Sequence, residues 1–232
     1  MADAAEMAPS SPPLRPPLQP PLWRDREEAG RALARRCADQ RHQAATTTLI
    51  GLPRGGVPVA AVMAAELQLP LATWAVRKVV DPALPEVAIG AVAAGGVVVW
   101  REGPQGTLAA LARRRGWLAT AENELKRRQQ RFGDPTPRQL EGRHLIVVDD
   151  GIATGMSVRA ALLSLRQTRP AHLTLAVPVV DAEVALELRR LVDRLEALAT
   201  VSQLQAVGLW YERFDQLDDQ AVLALLAAAP CR

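Results

Sequence analysis

The stretch from 144 to 162, HLIVVDDGIATGMSVRAAL, constrains the fold more than any other part of the sequence. An apolar, β-branched run ends there in two adjacent aspartates, Asp149 and Asp150, and a helical pattern begins a few residues later. Burying one carboxylate at a strand end costs desolvation free energy, and two neighbouring carboxylates also repel each other. We therefore expect this strand end to bind a ligand that needs both side chains.

Strand and helix patterns alternate along the rest of the chain. Strands are predicted at 46–52, 71–78, 144–149, 171–180 and 195–201, and helices from Trp23 and at 57–68, 107–132, 157–167, 182–192 and 217–228. A hairpin is predicted at 88–100, and the long helix is expected to break near Gly116. The alternation predicts an α/β fold, with a parallel twisted sheet and helices on both faces. Ligands of such sheets bind at the carboxyl ends of the strands near a topological switch point, where Asp149 and Asp150 are expected.

The composition narrows the class of protein further. Hydrophobic residues make up 49% of the 232 residues, yet no apolar run approaches the roughly 20 residues needed to span a bilayer. The two cysteines, Cys37 and Cys231, lack metal-like spacing, so a reducing cytoplasm is expected. A net charge of only +3 with 3% aromatic residues argues against nucleic acid as a partner.

The N-terminal segment has a composition of its own. Seven of the 18 prolines lie within residues 1–22, which predicts an extended, disordered tail ahead of a single domain at 23–232. A proline-rich docking site in this tail is the alternative.

The loop after the two aspartates has the features of a phosphate-binding turn. Its residues are Gly151, Ile152, Ala153, Thr154, Gly155, Met156 and Ser157. The small members let the backbone curl so that N–H groups point inward, and the helix that follows adds partial positive charge. Thr154 and Ser157 add hydroxyl donors, and the aspartates can accept from vicinal sugar hydroxyls. Phosphate and diol binding side by side describe a 5-phosphoribosyl group, whereas a capped helix with the aspartates in a turn is the alternative.

VVDDGIATGMS resembles the phosphoribosyl diphosphate (PRPP) motif of the type I phosphoribosyltransferases, which place an apolar strand, two acids and a short linker before TG. The resemblance implies that Asp149 and Asp150 hold the ribose 2- and 3-hydroxyls and that residues 153–157 hold the 5-phosphate. It also implies Mg²⁺ as the cofactor, bridging ribose and pyrophosphate oxygens with direct or indirect help from the two aspartates.

A second loop, LPRGGVPVA at 52–60, also joins a predicted strand to a helix. Gly55 and Gly56 allow close approach of the backbone, and Arg54 offers a fork of donors that suits phosphate. A plain glycine turn is the alternative. In the resembling family this position holds the pyrophosphate loop, which implies phosphate contacts from these three residues and a non-proline cis peptide between Pro53 and Arg54.

A third element is the basic end of the predicted strand 71–78. Arg77 and Lys78 stand where the family carries basic residues that reach the pyrophosphate, followed by a mobile loop that closes over the site. A solvated basic strand end is the alternative. The resemblance therefore implies a catalytic set, which consists of Arg54, Arg77, Lys78, Asp149 and Asp150.

Five motifs in order, LPRGGVPVA, RK, AIGAVA, DDGIATG and AVGLWYERF, resemble a little-characterised subgroup of phosphoribosyltransferase-domain proteins across residues 23 to 225. The resemblance implies transfer of the 5-phosphoribosyl group from PRPP to a nitrogenous base, with release of pyrophosphate, by a homodimer. It also implies a small hood and flexible-loop region over the base, built from 23–45, 79–132 and 201–232. The alternative is a non-catalytic PRPP- or nucleotide-binding regulator.

The acceptor stays open because the chain departs from the family where the base binds. Members that act on hypoxanthine or guanine commonly carry an aspartate before TG as a base toward the purine, and Ala153 stands there in this chain. In the segment 205–214, Trp210, Tyr211 and Phe214 are candidates for stacking on the acceptor. Core packing is the alternative for each of the three.

Overall fold

The computed structural model of the protein describes residues 19–229, apart from the side chain of Glu86. Most of the predicted tail, residues 1–18, lies outside the described residues, as does Cys231. The elements in chain order are α1 (Arg26–Arg36), β1 (Thr47–Gly51), α2 (Gly56–Leu67), β2 (Leu71–Thr73), β3 (Val76–Asp81), β4 (Leu84–Ala93), β5 (Val97–Trp100), α3 (Thr107–Arg114), α4 (Trp117–Phe132), α5 (Pro137–Leu140), β6 (His144–Val148), α6 (Met156–Arg166), β7 (His172–Asp181), α7 (Ala182–Leu188), β8 (Arg194–Val201) and α8 (Asp219–Ala228). Within this part of the chain, none of the helices has the length and apolar character needed to cross a membrane.

The main sheet has five parallel strands in the order β2-β1-β6-β7-β8. Alternate side chains of a strand point to opposite faces, so a sheet of this kind needs cover on both. In β6, Leu145 and Val147 share a core cluster with α6 and α7, whereas Ile146 and Val148 share another with α1, α2 and α8. The predicted α/β fold, with helices on both faces of a parallel sheet, is confirmed.

A smaller antiparallel sheet, in the order β3-β4-β5, packs against α4 and α6. The prediction of one strand over 71–78 is wrong, since β2 joins the main sheet and β3 joins the small one. The chain leaves the main sheet at Trp74 and Ala75, where the Ala75 N–H donates to the Asp134 carboxylate at 2.6 Å rather than to a strand. Trp74 is buried in a core cluster that both sheets share, with its Nε1 donating to Ser164 Oγ at 3.0 Å.

Most other predicted elements are present with shifted ends. The hairpin turns through Ala94–Gly96, and Gly116, at φ 73°, separates α3 from α4. The first helix begins at Arg26 rather than Trp23, because the Asp25 side chain accepts a backbone N–H of the first turn and caps the helix there.

The helices that follow β1 and β6 cover opposite faces of the main sheet, α2 on one and α6 on the other. The loops that lead into them therefore part at the carboxyl ends of two adjacent strands, which makes this point the topological switch of a doubly wound sheet. The loops span residues 52–55 and 149–155. Both aspartates thus lie where the alternation of elements predicted them.

Asp134 carries a pH-dependent part of the stability. Burial raises the pKa of its carboxyl to about 6, and the ordinary value is about 3.9. This contribution to stability is therefore fully present below about pH 4 and is lost as the pH rises through about 6. Asp134→Asn removes the titration, and an amide can still accept from the Ala75 N–H and donate to the Thr73 hydroxyl.

We expect the parent protein to lose stability relative to Asp134→Asn by roughly 2–3 kcal/mol between about pH 4 and about pH 8. Urea denaturation of the two proteins across this range measures the difference in their free energies of unfolding. Parallel pH curves for the two proteins would contradict the prediction.

Candidate functional site

The loops after β1 and β6 and the strand β3 enclose a cleft of about 570 Å³. The predicted site residues that line it are Arg54, Gly55, Arg77, Lys78, Asp149, Asp150, Gly151, Ile152, Ala153, Thr154, Gly155, Met156 and Ser157. Gly56, the remaining predicted member, follows Gly55 in the chain and is the first residue of α2. Residues from three separate parts of the chain thus meet at the switch point of the sheet.

Two glycines of the first loop permit a close contact with the second loop. A Cβ built on Gly55 would overlap Asp150 Oδ2. One built on Gly56 would overlap the Val148 carbonyl oxygen and lie 2.9 Å from Asp149 Cα. Side chains at these two positions would therefore force the loops apart, and glycine is the residue that lets the backbone approach so closely.

Asp149 and Asp150 keep one carboxylate oxygen each for a ligand. Asp149 Oδ1 accepts the Asp150 N–H at 3.0 Å, and Asp150 Oδ2 accepts from Arg26 Nε at 2.9 Å. Among the described residues, the second oxygen of each carboxylate accepts no hydrogen bond. Burial raises the pKa of both carboxyls. The charge of Asp150 raises the pKa of Asp149 further, while Arg26 opposes the rise in Asp150.

The loop at 153–157 runs into the amino end of α6. Gly155, at φ 69°, makes the turn, and among the residues described no side chain caps the helix. The first N–H groups of α6 are therefore available to an anion, which the helix also attracts through its partial positive charge. Ile152 anchors the start of the loop, since its N–H donates to the Val179 oxygen and its oxygen accepts the Asp181 N–H, both at 2.9 Å.

Positive charges gather on the side of the cleft formed by β3 and the first loop. Arg77 and Lys78 lie on β3, and Arg54 follows Pro53 across the predicted cis peptide, which is present. Arg128, which α4 contributes, also lines the cleft and was missed by the sequence reasoning. Burial lowers the pKa of Arg77, and the charges of Arg128 and Arg54 lower it further. Such a concentration of cations suits a multiply charged anion.

Arg26, the first residue of α1, is a second cation of the cleft that the sequence reasoning missed. Its Nε donates to Asp150 Oδ2, and its Nη2 lies 2.9 Å from the same oxygen. The guanidinium also lies over the ring of Phe214, 3.7 Å from the centroid. The ion pair joins residues 124 positions apart, so no local pattern could have revealed it.

The three aromatic candidates of the segment 205–214 have different surroundings. Phe214 lines the cleft. Tyr211 is buried and donates its hydroxyl to the Asp150 carbonyl oxygen at 2.6 Å, and burial raises the pKa of its phenol, so it stays a donor. Trp210 is buried in a core cluster beside β7 and β8. Phe214 is therefore the only one of the three that lines the cleft, and Tyr211 positions the backbone of Asp150.

The carboxylate pair fits a magnesium ion that arrives with its own oxygen ligands. Among the side chains that the structure describes, which exclude that of Glu86, no group of three or more His, Cys, Asp or Glu is arranged to hold a metal ion. Mg²⁺ prefers octahedral oxygen coordination and is commonly held by one or two carboxylates together with water and ligand phosphates. Asp149 and Asp150 supply that number of carboxylates, so the remaining oxygens have to come from water and the ligand.

Residues 23–209 match the family described as phosphoribosyl transferase domain. A Mycobacterium tuberculosis protein, whose name assigns it provisionally to the phosphoribosyl transferases, is 39% identical over 210 residues, or 90% of this chain. The match spans about half, 47%, of that relative's length. A solved structure, TT1426 from Thermus thermophilus, is 34% identical with a TM-score of 0.69. It covers 89% of this chain and 98% of its own.

The contact between Gly55 and Asp150 can be measured by a double-mutant cycle. Gly55 has φ −64° and ψ −35°, which any residue adopts, so Gly55→Ala adds only the overlap with Asp150 Oδ2. We expect Gly55→Ala to lower the free energy of unfolding by about 1–3 kcal/mol. The loss should be much smaller in the Asp150→Ala background, where the overlapping carboxylate is gone. Chemical denaturation of the four proteins gives the coupling, and equal losses in both backgrounds would show that the loops do not touch here.

Proposed function

The chain belongs to the phosphoribosyl transferase domain family, and on that premise we propose that it transfers the 5-phosphoribosyl group of PRPP to a nitrogenous base and releases pyrophosphate. One observation carries the proposal: a single cleft brings together two carboxylates, a helix N-terminus and a group of cations. A sugar diol that carries both a phosphate and a larger anion matches this combination of groups.

The ribose 5-phosphate half is assigned to the aspartates and the loop that follows them. The second carboxylate oxygens of Asp149 and Asp150 accept hydrogen bonds from the 2- and 3-hydroxyls. The loop at 151–157 binds the 5-phosphate through backbone N–H groups at the start of α6 and through the hydroxyls of Thr154 and Ser157. These hydrogen bonds offset the desolvation of two buried carboxylates.

The pyrophosphate half is assigned to the first loop and to β3, through Arg54, Gly55, Gly56, Arg77 and Lys78. As the bond between C1 and the pyrophosphate oxygen breaks, negative charge grows on the leaving group, and fixed cations stabilise that charge. Asp149 and Asp150 would help to hold a Mg²⁺ ion, directly or through water, and the ion would supply further neutralisation of that charge. The ribose ring is held by its hydroxyls and its phosphate, so its C1 stays aligned with the acceptor.

The acceptor half is assigned to a hood built from 23–45, 79–132 and 201–232, within one domain at 23–232. Ala153 stands before TG, so the phosphate loop offers no carboxylate that would take a proton from the base. The proposal extends to a cytoplasmic homodimer whose ligands are PRPP and a nucleobase-like acceptor, without membrane or nucleic acid as a partner.

A non-catalytic PRPP- or nucleotide-binding regulator is the second candidate function. The stacking of Arg26 on Phe214 favours it, because the guanidinium covers the ring face on which an acceptor would otherwise lie. A protein that only senses PRPP has no need of an open ring face at this position.

Pyrophosphate release separates the two candidates. With PRPP and Mg²⁺, we expect release in the presence of at least one base from a panel of purines, pyrimidines and pyridines, because the cations stabilise the leaving group. A pyrophosphatase-coupled phosphate assay measures the rate. PRPP binding in calorimetry without release for any base would favour the regulator.

Removal of both carboxylate charges tests the sugar site. We expect Asp149→Asn combined with Asp150→Asn to weaken PRPP binding at least roughly a hundredfold, since two charge-assisted hydrogen bonds to the diol are lost. Isothermal calorimetry with PRPP and Mg²⁺ measures the affinity. Asp39→Asn is the control, because Asp39 pairs with Arg194 away from the cleft and its loss should leave the affinity unchanged. An unaltered affinity in the double variant would remove the assignment.

A further inference from the structure

We propose that Arg26 selects the acceptor, favouring a planar ring with an oxygen on the edge that meets this residue over a ring with an amino group there. The inference rests on the phosphoribosyl transfer proposed above and adds the chemical class of the acceptor to it.

The guanidinium of Arg26 is held in one orientation. Nε and Nη2 both lie 2.9 Å from Asp150 Oδ2, and Nη1 donates to the Asp215 carbonyl oxygen at 3.0 Å. One face lies on the ring of Phe214, 3.7 Å from its centroid. Since all three nitrogens have partners and the side chain is only 12% exposed, the plane of the guanidinium cannot rotate freely.

These contacts leave part of the guanidinium for a ligand. Arginine has five N–H groups; two of them, on Nε and Nη1, are used in the hydrogen bonds above, and Nη2 is in ion-pair contact with Asp150. The second N–H of Nη1 has no acceptor among the described residues, Nη2 makes no hydrogen bond there beyond its contact with Asp150, and Arg26 itself lines the cleft. A planar fork of this kind binds oxygen acceptors, and its face can also stack on an aromatic ring.

The position of Arg26 relative to the sugar brings it next to the incoming base. Asp150 is assigned to the ribose diol, and the two carbons that carry these hydroxyls are one and two bonds away from C1, the atom that receives the acceptor. A side chain that is hydrogen-bonded to Asp150 is therefore within reach of the acceptor ring, which becomes attached to C1. Arg26 fits this description, and Phe214 supports it from behind.

The chemistry of the fork sets the preference. An oxo group on the acceptor ring accepts a hydrogen bond from an arginine N–H. An amino group instead points its own N–H toward the arginine N–H, and neither donor has an acceptor. No carboxylate compensates on the loop, since Ala153 occupies the position before TG and the remaining oxygen of Asp150 is assigned to the sugar. Rings with a positive charge are further disfavoured by the guanidinium itself.

Nucleoside monophosphates test the preference without requiring turnover. Inosine and adenosine 5-monophosphate differ in an oxygen or amino group on the purine, and uridine and cytidine 5-monophosphate differ likewise on the pyrimidine. We expect the oxo member to bind roughly tenfold more tightly than the amino member in at least one pair. Calorimetry with these four probes and with ribose 5-phosphate gives the affinities.

Arg26→Lys separates the effect of the planar guanidinium donors from the effect of the positive charge, because a lysine keeps a cation beside Asp150 but lacks the planar pair of donors. We expect the ratio of oxo to amino affinity to fall toward one in this variant. Arg31→Lys is the matched control on the same helix, since Arg31 pairs with Glu27 at the surface, and it should keep the parent ratio. Phe214→Leu, which removes the stacking support behind Arg26, is the second variant and should lower the ratio as well.

A ratio near one in the parent for both pairs, or an unchanged ratio in Arg26→Lys with native thermal unfolding, would overturn the role of Arg26. In both cases the site for the phosphoribosyl group would stand, because ribose 5-phosphate and PRPP still bind. Failure of the parent to bind either compound would instead remove the proposed function, and this inference with it.

Discussion

The contact between the ends of β1 and β6 is the constraint on which the rest of the site depends. These neighbouring strands are followed by helices on opposite faces of the sheet, so a gap opens between the loops that connect the strands to the helices. Gly55 and Gly56 bring the first loop against the backbone of Val148 and Asp149. The positions of the carboxylates and of the first-loop cation are therefore set by the register of two paired strands, which is more rigid than either loop alone.

Like charges repel one another on both sides of the cleft, the two aspartates on one side and the arginines on the other. The two aspartates are unequal, because Arg26 opposes the effect of burial on the pKa of Asp150, whereas Asp150 adds to that effect on Asp149. On the other side Arg128 and Arg54 lower the pKa of Arg77. A ligand that brings hydroxyl donors to the acids and phosphate oxygens to the cations relieves both repulsions at once. The like charges that cost free energy in the empty cleft are therefore the groups that can bind such a ligand.

The parts of the molecule that could be predicted from the sequence are those whose chemistry is contained in one short segment. DDGIATG and PRGG each combine a strand end, a tight turn and a helix start, so spacing alone indicates where their side chains lie. Arg26 and Arg128 were not predicted, since each sits in an ordinary charged helix and reaches the cleft only through tertiary packing. The break at Trp74 was missed because its cause, the bond from Ala75 to Asp134, joins the strand to a loop about sixty positions away.

The contacts of Phe214 with Arg26 and of Tyr211 with Asp150 also determine which part of the cleft forms last while the chain is being synthesised. During synthesis the acids at 149–150 emerge well before the segment 205–214 that supplies Tyr211 and Phe214. The central strands can pair as soon as β6 and β7 are available, and at that stage Arg26 has no ring beneath it. Contacts of such long sequence separation form late and slowly. The side of the cleft that contains Phe214 is therefore the last part to be completed, and in a ribosome-bound chain Arg26 and Asp150 lack these aromatic contacts until the segment 205–214 has emerged.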